Sequence, residues 1–194
     1  MKSEREYRSA LEFRAAENEE YIVEGYATTF NDPYVLYECD GLDYSEQIDR
    51  HAFDEADMRD VILQFDHSGR VYARIKNGTL FLSVDDHGLK VRADLSRTEN
   101  SRNLYEDIKA GLVSEMSFAF TVAADEYNHE TRTRTITKIK KVYDCSVVSI
   151  PANPNTSISA RDYFNGVIEA EAAERRQAEA IEAQRAKIRI LCEL

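Results

Sequence analysis

The sequence lacks most of what would mark a secreted, membrane-embedded or nucleic-acid-binding chain. Its three cysteines, Cys39, Cys145 and Cys192, are widely spaced and form no C-x-x-C pair. That pattern points to neither a disulfide framework nor a zinc site. No apolar run approaches the roughly 20 residues of a membrane span. The amino-terminal MKSEREYRSALEFRAAENEE is too charged for a secretion signal. A soluble chain that stays in the cytoplasm where it is made is expected. Positive charge is also in short supply, with 25 Lys and Arg against 36 Asp and Glu and a net charge of -11. A general nucleic-acid binder would need the opposite balance. The basic cluster Lys138, Lys140 and Lys141 reads as the solvated face of a strand. There is no internal repeat and no G-x-S-x-G elbow, which argues against an α/β-hydrolase. Nothing suggests a metal or an organic cofactor.

What is present, over 194 residues, suits one domain with an appendage. Residues 1–20 read as a charged arm or a short amphipathic start. Tyr21 to Phe30 is the first strand, and Asn31-Asp32-Pro33 turns the chain. Residues 34–60 read as an irregular acidic connection, with helical turns at Ser45–Ile48 and Phe53–Met58. Val61 to Asp66 is a buried strand running into His67-Ser68-Gly69. Val71–Lys76, Thr79–Val84 and Leu89–Leu95 read as a β-meander, with Asn77-Gly78 as a hairpin turn. Thr98 to Leu112 carries Leu104, Ile108 and Leu112 at four-residue spacing and ends at Gly111, which predicts a helix. The run TRTRTITKIKK predicts an edge-exposed strand, and Val142 to Ile150 a separate last strand. Residues 161–194 are rich in Ala, Glu, Arg and Gln, without a glycine after Gly166. They predict a helix with a thin apolar stripe of Ile168, Ile181, Ile188 and Leu191, suited to weak docking or to a partner. The fold class expected is mainly β with flanking helices (α+β), about seven strands in a barrel or sandwich. The domain would span residues 21–160.

Glu115 to Phe120 is the stretch around which chemistry can be imagined. Phe118, Phe120 and Val122 alternate with Ser117, Ala119 and Thr121, giving one bulky and one small face. A serine on the small face is a nucleophile only if a base and an orienting acid reach it. His51, His87 and His129 lie in loops or turns. His67 ends an apolar strand, which leaves its ring at a rim. Asp144 sits in an apolar strand and must be paired there, with Lys141 or with His67. Residue chemistry permits a Ser117–His67–Asp144 triad, and equally a packing serine and a half-buried histidine.

A family resemblance favours the first. Glu24-Gly25-Tyr26-Ala27, Phe65-Asp66-His67, Asp86-His87-Gly88-Leu89, Met116-Ser117-Phe118-Ala119-Phe120 and Asp144-Cys145-Ser146-Val147-Val148 occur in order, followed by Pro151-Ala152-Asn153-Pro154. Over about residues 20–160 this resembles the HK97-type phage prohead proteases, serine peptidases with an assemblin-like fold. The resemblance implies a β-barrel surrounded by helices, His67 as general base, Ser117 as nucleophile and the acidic residue of the last strand as third member. The family commonly has glutamate there, and this sequence has Asp144, one methylene shorter. The implied substrate is the scaffolding segment of the major capsid protein precursor, with self-cleavage and possible self-association. The implied setting is the host cytoplasm, inside the assembling prohead. The loop Pro151 to Arg161 is a candidate source of oxyanion donors. Two rivals remain: a catalytically silent assembly or scaffolding protein with the same fold, and a thiol enzyme using Cys145 or Cys39.

Overall fold

The computed structural model describes residues 5–10, 13–17, 19–149 and 158–192. In chain order the strands are β1 (Glu6–Ala10), β2 (Arg14–Ala15), β3 (Ile22–Thr29), β4 (Tyr34–Cys39), β5 (Leu42–Ile48), β6 (Ile62–Phe65), β7 (Ser68–Arg74), β8 (Leu80–Val84) and β9 (Gly88–Asp94). Helix α1 (Glu99–Lys109), strands β10 (Glu115–Asn128) and β11 (Thr133–Val148) and helix α2 (Ile158–Cys192) follow. The chain is α+β, as expected, but the two sheets do not close into the barrel. One seven-stranded sheet runs β1-β10-β11-β5-β4, with β6 on β11 and β7 on β6, and a four-stranded sheet runs β2-β3-β9-β8.

Strand β11 is the spine, and here the structure departs from the sequence reading. TRTRTITKIKK and VYDCSVV form one continuous strand, and it is central rather than at an edge. Antiparallel β10 covers one side of it. Parallel β5 and β6 lie end to end along the other, at Thr133–Ile136 and at Asp144–Val147. The connection between β5 and β6 continues the ladder without being a strand. Ile139 N–H donates to the Ala52 carbonyl at 2.8 Å, and Asp57 N–H to the Lys140 carbonyl at 3.0 Å. Ala52 and Phe53 in that connection are buried. A long linker thus serves as a cover for the core.

Residues 34–48 form a hairpin instead of an irregular loop with a helical turn. Cys39 pairs with Leu42 across Asp40-Gly41, both at positive φ, the signature of a two-residue primed turn. Asn77-Gly78, by contrast, joins strands of different sheets. Ile75–Asn77 tighten into a 3-10 turn, and Gly78 at φ 70° returns its N–H to the Ile75 carbonyl. The expected meander is therefore broken: β7 pairs with β6, and β8 with β9. Helix α1 forms as read. Thr98 caps it by accepting from the Ser101 N–H at 3.1 Å, and Leu104, Tyr105 and Ile108 are buried.

Residues 6–10 are a strand and not a loose arm. β1 lies on β10, with Arg8 opposite Phe118 and Ser9 opposite Ser117. Its anchor is a buried ionic cluster. The Arg8 guanidinium donates to Glu46 Oε1 and Oε2 and to Glu6, and Arg134 donates to Glu6, Glu46 and Asp125. Tyr34 O–H donates to Glu46 at 2.8 Å. Burial pushes the Glu46 carboxyl up, but the Arg8 and Arg134 charges and the hydrogen bonds outweigh it, so the group lies below its ordinary range. Because the folded value is below the unfolded one, the stabilisation is present above the ordinary glutamate value of about 4.3 and is lost as pH falls below it. A urea titration repeated from pH 7 to pH 3 is expected to show the midpoint falling, steeply for wild type and less steeply for Glu46→Gln.

Helix α2 docks through its first turns. Phe164, outside the stripe read from sequence, is fully buried against Leu36 and Tyr44. The Arg134 guanidinium lies 4.2 Å from the centroid of the Tyr163 ring. Farther along, Ile181 and Ile188 are exposed. No helix among the described residues is long and apolar enough to cross a membrane.

Candidate active site

Strand pairing brings three distant segments onto one sheet face. Ser117 lies opposite Ser146 and Ala119 opposite Asp144, while Asp144 pairs with Ile62 on β6. Directly paired residues share a face, so Ser117, Asp144 and Ser146 look the same way. The opposite face carries Phe118, fully buried and stacked on Phe120 at 4.6 Å between centroids, a contact that fixes β10 in the core. The β6–β7 hairpin then turns His67 over the polar face.

All three residues singled out in the sequence meet. His67 Nδ1 lies 2.6 Å from Asp144 Oδ1, and His67 Nε2 lies 2.7 Å from Ser117 Oγ. An ionised carboxylate only accepts, so Nδ1 carries the proton and Nε2 is left to accept the Ser117 hydroxyl. Asp144 is buried at 3 % exposure. Lys141, its possible partner in the sequence, pairs with Asp57 instead. The shorter carboxylate reaches the ring because β6 and β11 are adjacent strands.

Two further side chains were not singled out in the sequence. Ser146 Oγ donates to Asp144 Oδ1 at 2.7 Å, giving that buried oxygen a second donor. Its place two residues from Asp144 on a strand is a signal the sequence does carry. Tyr7 packs edge-on against His67 at 4.7 Å between centroids. Nothing in the sequence links Tyr7 to a residue so distant. Ser117 itself has no exposed surface, whereas the His67 side chain is 18 % exposed. In the loop considered for oxyanion donors, residues 151–157 lie outside the described residues, and Ile158 already belongs to α2.

The other histidines go elsewhere. His51 pairs with Asp54, His87 packs on Tyr26 and His129 pairs with Glu171. Among the described residues no group of three His, Cys, Asp or Glu side chains is arranged to hold a metal. Cys145 is fully buried on the opposite face from Asp144, and burial, with the Asp144 charge, pushes its thiol well above the ordinary range. Native protein at pH 8 is expected to leave Cys145 unmodified by iodoacetamide over hours and to release it on denaturation. Labelling in the native state, read by peptide mass, would restore the thiol rival.

A hydroxyl, an imidazole and a buried carboxylate linked in series have the geometry of a serine hydrolase. Residues 9–167 match the family described as caudovirus prohead serine protease, and the chain belongs to that family. The prohead protease of Enterobacteria phage HK97 is 29 % identical over 150 residues, which cover 75 % of this chain. The match spans 62 % of that relative's length. No solved structure matches the chain.

Proposed function

We propose that the protein is a serine endopeptidase that cuts the scaffolding segment of the major capsid protein precursor, and itself, within the assembling prohead in the host cytoplasm. The observation that carries the peptidase part is the pair of short contacts on His67, one to Ser117 and one to Asp144. Membership of a prohead protease family supports the prohead setting, and the capsid precursor is the substrate that setting offers.

In this mechanism His67 Nε2 accepts the Ser117 proton as Oγ attacks the scissile carbonyl. The tetrahedral intermediate collapses as the imidazolium returns a proton to the leaving amine, and an ester on Ser117 remains. Water, deprotonated by the same Nε2, then releases the acid and regenerates the hydroxyl. Asp144 holds the ring in the Nδ1–H tautomer and stabilises the imidazolium, while Ser146 holds Asp144. The burial of Ser117 agrees with an enzyme that acts only when its surroundings rearrange.

Co-expression with the cognate capsid precursor tests this. Intact mass is expected to show a shortened precursor with wild type and the full-length precursor with Ser117→Ala. Equal shortening by both would remove Ser117 from the chemistry.

A further inference from the structure

His67 occupies an unusual backbone position. Phe65 pairs with Ser68, so Asp66 and His67 alone form the hairpin loop. Both lie at positive φ, 48° and 53°. This is a two-residue primed turn, which needs positive φ at both positions, and Asp and His are among the non-glycine residues that tolerate it best. The turn is tied down at its first residue.

β6 runs parallel to β11, and Asp66 N–H donates to the Val147 carbonyl at 2.9 Å. The next bond of a regular parallel ladder would run from the Ser149 N–H to the Asp66 carbonyl. Instead Ser149 N–H donates to Asp66 Oδ1 at 2.8 Å, and Ser149 Oγ donates to Oδ1 at 3.1 Å and to Oδ2 at 2.9 Å. The carboxylate stands in for the carbonyl that the turn has taken out of the ladder. Ser149 directly follows β11, which carries Asp144 five residues earlier.

We propose that Asp66 is the positioning residue that sets His67. It fastens the hairpin tip to the end of β11, so that the imidazole and the Asp144 carboxylate are held by one rigid pair of strands. The proposal rests on His67 being the general base, and its first test does not depend on peptidase activity.

Three substitutions separate backbone from tether. Asp66→Asn keeps the turn preference and an oxygen for the Ser149 N–H. Asp66→Gly keeps the turn preference and removes the tether. Ser149→Ala removes only the hydroxyl contacts, and serves should the glycine variant fail to fold. Long-range proton–nitrogen NMR of the full chain reads the His67 tautomer and the exchange rate of its Nδ1 proton. Wild type and Asp66→Asn are expected to hold the Nδ1–H tautomer. Asp66→Gly is expected to show mixed tautomers, and Ser149→Ala proton exchange several-fold faster than wild type. In the precursor assay, misplacement on the ångström scale is expected to slow Asp66→Gly about 100-fold, with Asp66→Asn near wild type. A wild-type tautomer and exchange rate in Asp66→Gly, or in Ser149→Ala where the former does not fold, would overturn the proposal. Should Ser117→Ala still process precursor, the peptidase reading would fail while the NMR result stood unchanged.

Discussion

Alanine at Ser117, alone or combined with asparagine at Asp144, is expected to leave nearly the same small residual rate, and asparagine at Asp144 alone a larger one. Each removes a different part of one chain of hydrogen bonds. In the proposed mechanism, removing Ser117 Oγ leaves His67 no nucleophile to activate. With asparagine at position 144, the amide N–H competes for Nδ1 and favours the tautomer that places a proton on Nε2, where the Ser117 hydroxyl must be accepted. Comparable substitutions in serine peptidases cost about 10^4-fold or more, and groups that act as a unit are not additive. The double variant is therefore expected to lie within about tenfold of Ser117→Ala. Single-turnover cleavage of the precursor, followed by mass, checks this. Multiplying effects would mean that Asp144 acts on something other than the Ser117–His67 pair. Ser146 donates to the same carboxylate oxygen, so an asparagine there must also be read against its loss of that contact.

Replacing Glu46 by alanine is expected to be the most damaging single substitution for stability. Glu46 is fully buried and accepts from Arg8, Arg134 and Tyr34. Its removal leaves two guanidinium groups in the interior with Glu6 and Asp125 as their acidic partners among the described residues. Breaking a buried ion pair in this one-sided way costs about 3–5 kcal/mol. In a chain of this size that is on the order of 6–20 °C in melting temperature. The exposed pair Arg50–Asp86 is the internal control. Arg50→Ala is expected to change stability by no more than about 1 kcal/mol. Calorimetry of both variants decides the matter, and equal shifts would mean that the cluster contributes no more than surface charge does. β1 hangs on this cluster through Arg8, and Tyr7 next to it packs on His67. The Glu46 variant is thus expected to perturb the site from the far side of the sheet.

Short-range patterning explains which elements could be read. The α1 segment shows apolar residues at four-residue spacing behind a threonine cap, and the helix follows. β10 shows strict alternation, and Phe118 and Phe120 enter the core as that alternation requires. Dipeptide turn signals were less decisive. Asp40-Gly41 forms a hairpin and Asn77-Gly78 does not, because pairing partners for the flanking strands are chosen by the whole sheet. The alternating Thr and Arg of β11 look like a solvated edge. Arg134 is buried there because three acidic residues from β1, β5 and β10 converge on it, and no local pattern announces such a convergence.

By itself, the sequence determined the α+β class, the one good internal helix, the polar face of β10 and the three residues whose chemistry suits a serine peptidase. The first three follow from side-chain type and from periods of two and 3.6, which are local properties, whereas the choice of Ser117, His67 and Asp144 rested on the family resemblance. Only the tertiary structure decided that the sheets stay open, that β1 belongs to the body, and that His67 sits 2.6 Å from Asp144 and 2.7 Å from Ser117. Such distances depend on strand register between segments up to 77 residues apart. Register is set by the fit of the entire core and by the Asp66 turn, where the backbone leaves the ladder and a side chain completes it.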